Sequence, residues 1–371
     1  MQIKDAYDYL VHLIACAIQK KTPTPVPEGI TYEEVLDCAI RHEVAGFAYF
    51  GLKRLEVLPD AQLMSRWKER YLLDVQRNAL QEQARKKLVE RFHEKGIATL
   101  ELQGTKVKKY YPSPELRLMG DIDLIIEKSQ LSVAEEILKE QGYETERHND
   151  FEVDGKRDTI QVEIHTEFFP EYDDFSKILK TPYANVAISK NFEADAGDRT
   201  FLLYHLAHCL KHYWGYGIGI RRILDLYMLD TAFTDEALKE EIMGEIAKTG
   251  FEKQARSLVE LSGCWFGGQE PQRELSELIR VVKAAGSQGS FEIELQNQMN
   301  GRKAKGKHFV KLRYFLSLVF PPKEKMYHLY PFCQKHRYPL ALCWIHRAIR
   351  LPFKKGRWKK LKHYICRIWR K

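Results

Sequence analysis

The feature that most constrains the fold is residues 121–127, DIDLIIE, a strongly β-prone run in a chain whose other long patterns are helical. Side chains on a strand alternate between its two faces, so Asp121 and Asp123 share one face while Ile122 and Leu124 turn into the core. Two carboxylates arranged in this way hold divalent cations about 3.5–4 Å apart, as two-metal phosphoryl transfer requires. Mg²⁺ suits such a site because it takes few carboxylates and keeps several waters, and Mn²⁺ is an alternative.

A third carboxylate is expected from a neighbouring strand. Polar and apolar side chains alternate along residues 159–166, TIQVEIHT, which places Glu163 and His165 on the polar face of a second predicted strand. Glu163 is therefore the candidate that completes the metal-binding set. A pair of aspartates in one strand is common, and the alternative interpretation is a solvated strand end that binds nothing.

A phosphate grip is the second part that such a site needs. Gly104 and Thr105 end a predicted strand and begin a predicted helix, which offers backbone N–H groups and a positive helix end to a phosphate. Glycine allows close approach of the backbone, and Thr105 adds a hydroxyl. Positive charge between this turn and the carboxylates comes from Lys106, Lys108, Lys109 and Arg117. Most such turns bind nothing. The prediction of a metal and phosphate site therefore rests on the order of all its parts along the chain, which is strand, Gly-Thr, helix, Arg, DID, helix, hairpin and acidic strand.

Periodicity and breaker residues divide the chain into four parts. Helical spacing fills the beginning of the chain, with a capping box at Thr31 and Glu34 and a long helix over about 61–94. From Gly96 the pattern becomes β-α-β-α-β-β up to about residue 170. The predicted parts are a helical region over 1–95, a catalytic unit over 96–190, a second helical region over 191–300, and a basic, aromatic-rich tail over 301–371.

Two local signals predict the turns inside the α/β unit. Ser132 and Glu135 form a second capping box, which opens a helix that Gly142 closes. The pair Asp154-Gly155 is typical of a hairpin turn between two strands.

Residues 100–127, LELQGTKVKKYYPSPELRLMGDIDLIIE, resemble the signature of the uncharacterised nucleotidyltransferase family of the polymerase-β-like superfamily. That pattern has a strand, Lys-Gly, Tyr-Pro, and an Arg shortly before Asp-Ile-Asp. The resemblance covers about 95–230 well and continues through Gly142-Tyr143, Glu163-Ile164-His165, His208, His212, Arg221 and Asp225. One departure concerns the residue before Gly104, where the family has Lys and this chain has Gln103. Lys106, one helical turn later, is the candidate replacement for that cation.

The resemblance implies an α+β fold, in which a small mixed-sheet polymerase-β-like nucleotidyltransferase unit is flanked by N- and C-terminal helical regions. It implies an enzyme that transfers NMP from an NTP such as ATP to an acceptor hydroxyl, with two Mg²⁺ ions and release of pyrophosphate. The implied metal ligands are Asp121, Asp123 and Glu163. The implied nucleotide and phosphate contacts are Gly104, Thr105, Lys106, Arg117, His208, His212 and Arg221. The acceptor stays open among small molecules, sugars, RNA and proteins. The alternative is an inactive scaffold held on a membrane or polyanion by the tail.

Three histidines of the second helical region, His205, His208 and His212, are spaced i, i+3, i+7 and lie on one helix face. A zinc site, a face packed on the catalytic unit and contact with substrate are three interpretations, and contact is favoured for His208 and His212. Arg221 and Asp225 are one turn apart, so a simple ion pair within the helix is an equal alternative to a role in nucleotide binding.

The net charge of +8 is a property of the tail. Residues 325–371 contain fourteen Lys or Arg and no acidic residue, which leaves a formal charge of −6 for the rest of the chain. Basic and aromatic residues interleave over 350–371, as in segments that bind an anionic membrane surface or nucleic acid, and also in solvated surface helices. Seven cysteines without a CxxC pair indicate neither a disulfide framework nor a thiolate zinc site. Without a recognisable signal peptide or membrane span, a cytoplasmic location is expected, with peripheral membrane binding as an extension.

Overall fold

The computed structural model describes residues 2–287, 289–290, 293–294, 297, 316, 320–335 and 339–350. The basic residues that follow 350, and most of the predicted tail, lie outside this described part. The N-terminal region is helical, as predicted, with α1 (Ala6–Gln19), α2 (Tyr32–Arg41), α3 (Ala45–Leu52) and α4 (Ala61–Glu94). The capping box at the start of α2 is confirmed, since the Glu34 N–H donates to Thr31 Oγ1 and the Thr31 N–H donates to Glu34 Oε2.

A mixed sheet begins where the β-prone pattern was expected. Its strands in the described residues are β1 (Thr99–Leu100), β2 (Ile122–Ile125), β3 (Glu144–Arg147), β4 (Glu152–Arg157), β5 (Ile160–His165), β6 (Ala187–Ile188) and β7 (Glu193–Asp195). They pair in the order β3-β4-β5-β2-β1-β7-β6. The pairs β2–β5 and β1–β7 are parallel and the others are antiparallel. This sheet and its flanking helices confirm the predicted fold class.

The helices that follow complete the frame around the sheet. Two short helices lie within the α/β unit, α5 (Gly104–Val107) and α6 (Leu131–Glu140). The second helical region contains α7 (Gly197–Trp214), α8 (Ile220–Ala232), α9 (Glu236–Ala247), α10 (Glu252–Ser262) and α11 (Ser276–Ala285). Three further helices are described near the C-terminus, α12 (Lys323–Leu329), α13 (Pro331–Lys335) and α14 (Leu340–Arg350). Among all helices of the described residues, none is long and apolar enough to cross a membrane.

The predicted hairpin turn at Asp154-Gly155 is wrong. Both residues lie inside β4, and the turn to β5 is made at Asp158, which has a left-handed φ of 54°. The glycine allows close packing instead, because a Cβ on Gly155 would lie 3.2 Å from Leu138 Cδ2 of α6, nearer than ordinary van der Waals contact. The α/β unit consequently has three consecutive antiparallel strands, β3, β4 and β5, after α6. The predicted turn at Asp154-Gly155 had indicated two strands there.

The predicted capping box at Ser132 is also wrong. Helix α6 begins at Leu131, and Gln130 is its N-cap without a side-chain hydrogen bond to the helix. The Ser132 hydroxyl instead accepts from Arg147 on β3, and Glu135 forms an ion pair with Lys139. Tertiary contact with the sheet has replaced the local capping interaction.

Two hydrophobic clusters hold the structure together, and α4 contributes to both. The larger cluster joins the N-terminal helices to α7–α10 and contains Trp67 of α4. The smaller cluster lies between the sheet, α6 and the end of α4, with Phe92, Leu124 and Ile164 fully buried. Each such side chain contributes about 1.5–3 kcal/mol of burial free energy. The 34-residue helix therefore fixes the sheet against the helical region.

The C-terminal helices form a small cluster of their own. Met326, Cys333 and Cys343 are buried together, with Trp344 packed against them. Cys333 and Cys343 form a disulfide that joins α13 to α14. The cysteine spacing does not indicate this bond, because the two residues meet only through the packing of α12–α14.

Candidate active site

Two of the predicted carboxylates lie on β2 and β5, which are neighbouring strands in the interior of the sheet. Asp123 of β2 and Glu163 of β5 are direct register partners in the parallel pair. Their neighbours Ile122 and Leu124, like Val162 and Ile164 on the other strand, are fully buried on the opposite face. The alternation read from the sequence thus places both carboxylates on the same open face. We call Asp121, Asp123 and Glu163 the carboxylate edge.

His165 lies between two of these carboxylates. Its Nε2 is 3.6 Å from Asp123 Oδ1 and 3.3 Å from Glu163 Oε2. Burial lowers the pKa of the ring, but the hydrogen bonds with Asp123 and Glu163 outweigh it and raise the pKa of His165 to about 10. An imidazolium therefore balances part of the negative charge. Its position two residues after Glu163 on the same face is the signal by which the sequence could have assigned it to the site.

Two groups of side chains at this edge have the composition of a metal site. Among the described residues, the ligand atoms of Asp123, Glu163 and His165 lie within 4.8 Å of one another, as do those of Glu152, Asp154 and Glu163. Glu163 belongs to both groups. Asp121 belongs to neither, although its pKa is raised by burial and then by the negative charge of Glu163. These acidic residues are compatible with metal binding, and their oxygen donors suit a hard divalent cation.

A cavity of about 220 Å³ separates the carboxylate edge from α7. Asp123, Glu163 and His165 line one side, and Tyr204, His208 and His212 of α7 line the other. Lys211 and His328 also line this cavity. The structure thus brings the sheet carboxylates and two of the predicted histidines to one cleft, which we call the site cavity.

His208 and His212 form one hydrogen-bonded unit with Gln103. Gln103 Nε2 is 3.1 Å from the Tyr204 hydroxyl and 3.0 Å from His208 Nε2, and His208 Nε2 is 3.0 Å from His212 Nε2. Burial lowers the pKa of both imidazoles well below the usual value, and the positive charge of Arg222 lowers it further. Both rings are neutral at pH 7. Gln103, which replaces the family lysine, therefore lines the site cavity and holds His208 in position through a hydrogen bond.

The third histidine of α7 faces elsewhere. His205 is buried, its Nε2 is 3.6 Å from Cys209 Sγ, and it lines a different cavity of about 660 Å³ between α7 and α10. In the part of the chain that the structure describes, the groups with metal-site composition include no histidine of α7. The zinc interpretation of this face consequently has no structural support.

The Gly104-Thr105 turn is closely packed. A Cβ on Gly104 would lie 2.5 Å from Arg117 Nη1, so glycine is required here by the arginine side chain. The Thr105 hydroxyl is buried and donates to the sulfur of Met119 at 3.7 Å. Gln103, the residue before this turn, lines the site cavity, whereas Thr105 lines a different cavity next to β7.

Lys106 does not reach the carboxylate edge. Its Nζ is 3.1 Å from Asp195 Oδ1 and lies 4.7 Å from the centroid of the Phe201 ring. Together with Thr105 it lines a third cavity, of about 590 Å³, next to β7. The cation expected to replace the family lysine is thus held by another part of the sheet.

Arg117 and Arg221 belong to a buried ionic network. Arg117 donates from Nη2 and Nε to the two oxygens of Asp225 at 2.7 and 3.1 Å, and the Tyr111 hydroxyl donates to the same carboxylate at 2.6 Å. Arg221 Nη1 is 2.6 Å from Glu43 Oε2. Burial raises the pKa of Asp225, but the charge of Arg117 outweighs it and lowers this pKa to about 2. The simple helix pair between Arg221 and Asp225 is therefore wrong, since each is bonded to a different element.

Several residues at or next to the site cavity were not assigned to it from the sequence, including Lys211 and His328, which line it, and Arg222, which contacts the lining residue His208. Arg222 Nη1 is 3.2 Å from His208 Nδ1, whereas the neighbouring Arg221 turns into the core. His328 of α12 stacks on Phe151, with ring centroids 4.7 Å apart and an interplanar angle of 12°, and its Nε2 is 3.4 Å from Glu167 Oε1. No sequence signal marks His328, because it comes from a distant segment of the chain.

Comparison with known proteins agrees with this arrangement. Neither a curated protein nor a solved structure matches the chain. The sequence model of one family matches residues 28–267, from the loop before α2 to the end of the helical turn after α10. The matched span contains the whole sheet, the carboxylate edge and α7. Since it covers more than half of the 371 residues, the chain belongs to the uncharacterised nucleotidyltransferase family.

Proposed function

We propose that the protein transfers NMP from an NTP to an acceptor hydroxyl and releases pyrophosphate, with Mg²⁺ bound at Asp121, Asp123 and Glu163. The observation that carries this proposal is the direct pairing of Asp123 with Glu163 on parallel strands that face a cavity. A purely structural pair of acids would be expected to have a basic partner for each carboxylate. Here four acids line the cavity, Asp123, Glu152, Glu163 and Glu167, against two cations, His165 and Lys211.

The donor set fits a divalent metal. Carboxylate oxygens predominate, as Mg²⁺ prefers, and the imidazole of His165, after loss of its proton to a binding metal, would also be accepted by Mn²⁺. Metal ions bound there would neutralise charge on the triphosphate and lower the pKa of the attacking hydroxyl. Because Glu163 belongs to both ligand groups, it is the residue best placed to serve two ions.

The chain's own side chains would orient the substrates on the opposite wall. Arg222 donates to His208 Nδ1, so the proton of neutral His208 is on Nε2 and faces His212 Nε2. Neutral His212 can then donate from Nδ1 to a phosphate or to the acceptor hydroxyl. Lys211 and Arg222 supply positive charge beside them. This arrangement supports direct nucleotide contact by His212, with His208 holding the His212 ring in position.

The remaining predicted contacts would act through the Gly104-Thr105 turn. We propose that its backbone N–H groups contact the triphosphate, whereas Arg117 holds the turn from behind through its contact with Gly104. Arg221 and Lys106, which are bonded to Glu43 and Asp195, would hold neighbouring elements rather than the phosphates. The proposal therefore separates residues that touch nucleotide from residues that position them.

The size of the site cavity implies that it widens when an NTP enters. Its volume of about 220 Å³ is below the range of roughly 300–1,000 Å³ that is typical of small-molecule sites. The stacked pair of Phe151 and His328 lies at its border, and His328 comes from the C-terminal segment. Movement of α12 away from Phe151 is the change that would open the cavity with the sheet intact.

Calorimetric titration with ATP, GTP, CTP and UTP in the presence of Mg²⁺ tests the proposal. We expect Mg²⁺-dependent binding of one nucleotide by the wild type, and loss of that binding in Asp121→Ala/Asp123→Ala. Glu69→Ala/Glu90→Ala, which removes two exposed acids of α4, is the matched control and should bind like the wild type. The donor identified in this way then permits a screen of sugars, small molecules, RNA ends and protein hydroxyls as acceptors.

The second candidate function is an inactive scaffold, and Gln103 in place of the family lysine favours it. A scaffold should tolerate loss of Asp121 and Asp123, whereas an enzyme should not. If well-folded wild-type protein binds none of the four nucleotides with Mg²⁺, the enzyme proposal fails and the scaffold function is supported.

A further inference from the structure

Helix α14 presents an apolar stripe to solvent. Leu342, Ile345 and Ile349 are 53%, 53% and 61% exposed. Their spacing of i, i+3, i+7 places them on one face of the helix. Isolated exposed apolar side chains are normal, but a continuous stripe along a helix marks an interaction surface.

The opposite face of α14 is fixed to the rest of the protein. Cys343 is buried and forms the disulfide with Cys333, and Trp344 Nε1 donates to the Pro321 carbonyl oxygen at 2.9 Å. The Trp344 ring also packs edge-on against Phe320 at 5.8 Å. Because this face is anchored, the apolar stripe is held outward and cannot turn into the C-terminal cluster.

The charge around α14 selects the class of partner. Residues 325–371 contain fourteen Lys or Arg and no Asp or Glu, so the sequence that surrounds the stripe attracts anions. An amphipathic helix with an aliphatic face and a polybasic flank is the combination that binds anionic bilayers.

We propose that α14 and the basic residues after it bind the surface of an anionic lipid bilayer, with Leu342, Ile345 and Ile349 inserted at the headgroup boundary. The exposed stripe favours lipid over nucleic acid. Single-stranded nucleic acid gains affinity from stacking on aromatic rings, and the three side chains of the stripe are aliphatic. A bilayer uses both the aliphatic stripe and the positive charge. This proposal does not depend on nucleotide transfer.

Co-sedimentation of the full chain with phosphatidylcholine vesicles, with and without phosphatidylserine, tests the proposal. We expect binding to vesicles that contain phosphatidylserine and little binding to phosphatidylcholine alone. Leu342→Asp/Ile345→Asp/Ile349→Asp should lower the vesicle partition coefficient by about tenfold or more, because three apolar contacts become anionic. All three positions are exposed, so circular dichroism should show an unchanged fold.

A matched control uses an equally exposed apolar set on a different helix. Leu72, Leu73 and Leu80 of α4 are 52%, 51% and 48% exposed, and Leu72→Asp/Leu73→Asp/Leu80→Asp should bind vesicles like the wild type. Asp121→Ala/Asp123→Ala should also bind vesicles normally, which separates this proposal from the metal site. Equal vesicle binding by the α14 variant and the wild type would overturn the proposal. So would binding of a single-stranded RNA oligomer that exceeds vesicle binding and persists in the α14 variant.

Discussion

The carboxylate edge and the buried ionic network are both clusters of charge, but they differ in how those charges are paired. In the network, Arg117 is bonded to Asp225 and Arg221 to Glu43, and all four side chains are nearly inaccessible to solvent. At the edge, Asp123 and Glu163 face a cavity and His165 is the cation between them. Complete pairing in the interior indicates a structural role, and an excess of one charge at a cavity indicates a binding role.

The difference also determines how each cluster responds to substitution. Removal of one partner from a buried pair leaves an uncompensated charge inside the protein. Removal of one acid from the edge relieves repulsion, since burial and the charge of Asp121 together raise the pKa of Asp123. Substitutions in the network should therefore lower stability, and substitutions at the edge should lower nucleotide binding.

The largest effect is expected from Asp225→Asn, which leaves Arg117 buried without a carboxylate. The free energy of unfolding should fall by about 3–5 kcal/mol, measured by chemical denaturation. Glu277→Gln is the matched control, since it breaks the exposed pair with Arg280 and should cost less than about 1 kcal/mol. Equal losses in the two variants would contradict a structural role that depends on burial.

Asp123→Asn should have the opposite effect to Asp225→Asn, because it should lower nucleotide binding and leave stability unchanged or slightly higher. We expect Mg²⁺-dependent NTP affinity to fall more than about a hundredfold, because a metal ligand loses its charge. The free energy of unfolding should stay the same or rise slightly as repulsion at the edge is relieved. Calorimetry and denaturation of the same sample measure both quantities, and a large loss of stability with intact NTP affinity would reverse the comparison.

A change of pH should act on the network region through His42 rather than through Asp225. The Ile220 N–H donates to His42 Nδ1 at 3.0 Å, and burial lowers the pKa of this ring to about 4. The unfolded chain, with a histidine pKa of about 6.5, binds more protons between pH 6.5 and 4, so stability falls as pH drops through that window. The expected loss from His42 is about 2 kcal/mol between pH 7 and pH 5.

His42→Asn checks that assignment, because its unfolding free energy should depend less on pH over the same range. Asp225 has its folded pKa lowered to about 2, so its stabilisation is lost only as pH falls from about 4 towards 2. A wild-type stability that does not change between pH 7 and pH 5 would contradict the role of His42.

The smallest effect is expected from Gln103→Lys, which restores the family residue at the wall of the site cavity. A lysine can donate to Tyr204 and His208 as Gln103 does, and it adds one positive charge. NTP affinity should rise about fivefold, or about 1 kcal/mol. Gln83→Lys, on an exposed position of α4, should leave the affinity unchanged. A decrease in affinity would indicate that His208 needs the neutral amide.

The sequence predicts the fold and the acidic half of the site because both depend on short-range patterns. The period of two along β2 and β5 places Asp123 and Glu163 on one face, and the structure has them in register. The family resemblance, over about residues 95–230, lies within the span 28–267 that the family model matches. Local signals fail where tertiary packing decides, as at Gly155, which packs against α6 instead of forming a turn.

The basic half of the site could not be predicted from the sequence. From the sequence, every cation near the Asp-Ile-Asp run is a candidate for phosphate binding. In the structure, its ion-pair partner comes from a distant part of the chain. Arg117 is bonded to Asp225 and Lys106 to Asp195, whereas Arg222 reaches His208 because it is turned about 100° from Arg221 on α8. Long-range pairing of this kind leaves no mark in the spacing of residues.

The stacking of His328 on Phe151 affects which parts of the chain determine the shape of the site cavity. Phe151 lies inside the span that the family shares, residues 28–267, and His328 lies outside it. One residue that lines the site cavity thus lies outside the family span, whereas the acids on β2 and β5 lie inside it. Substitutions in α12 can therefore change which molecules fit the site cavity without altering the acids on β2 and β5.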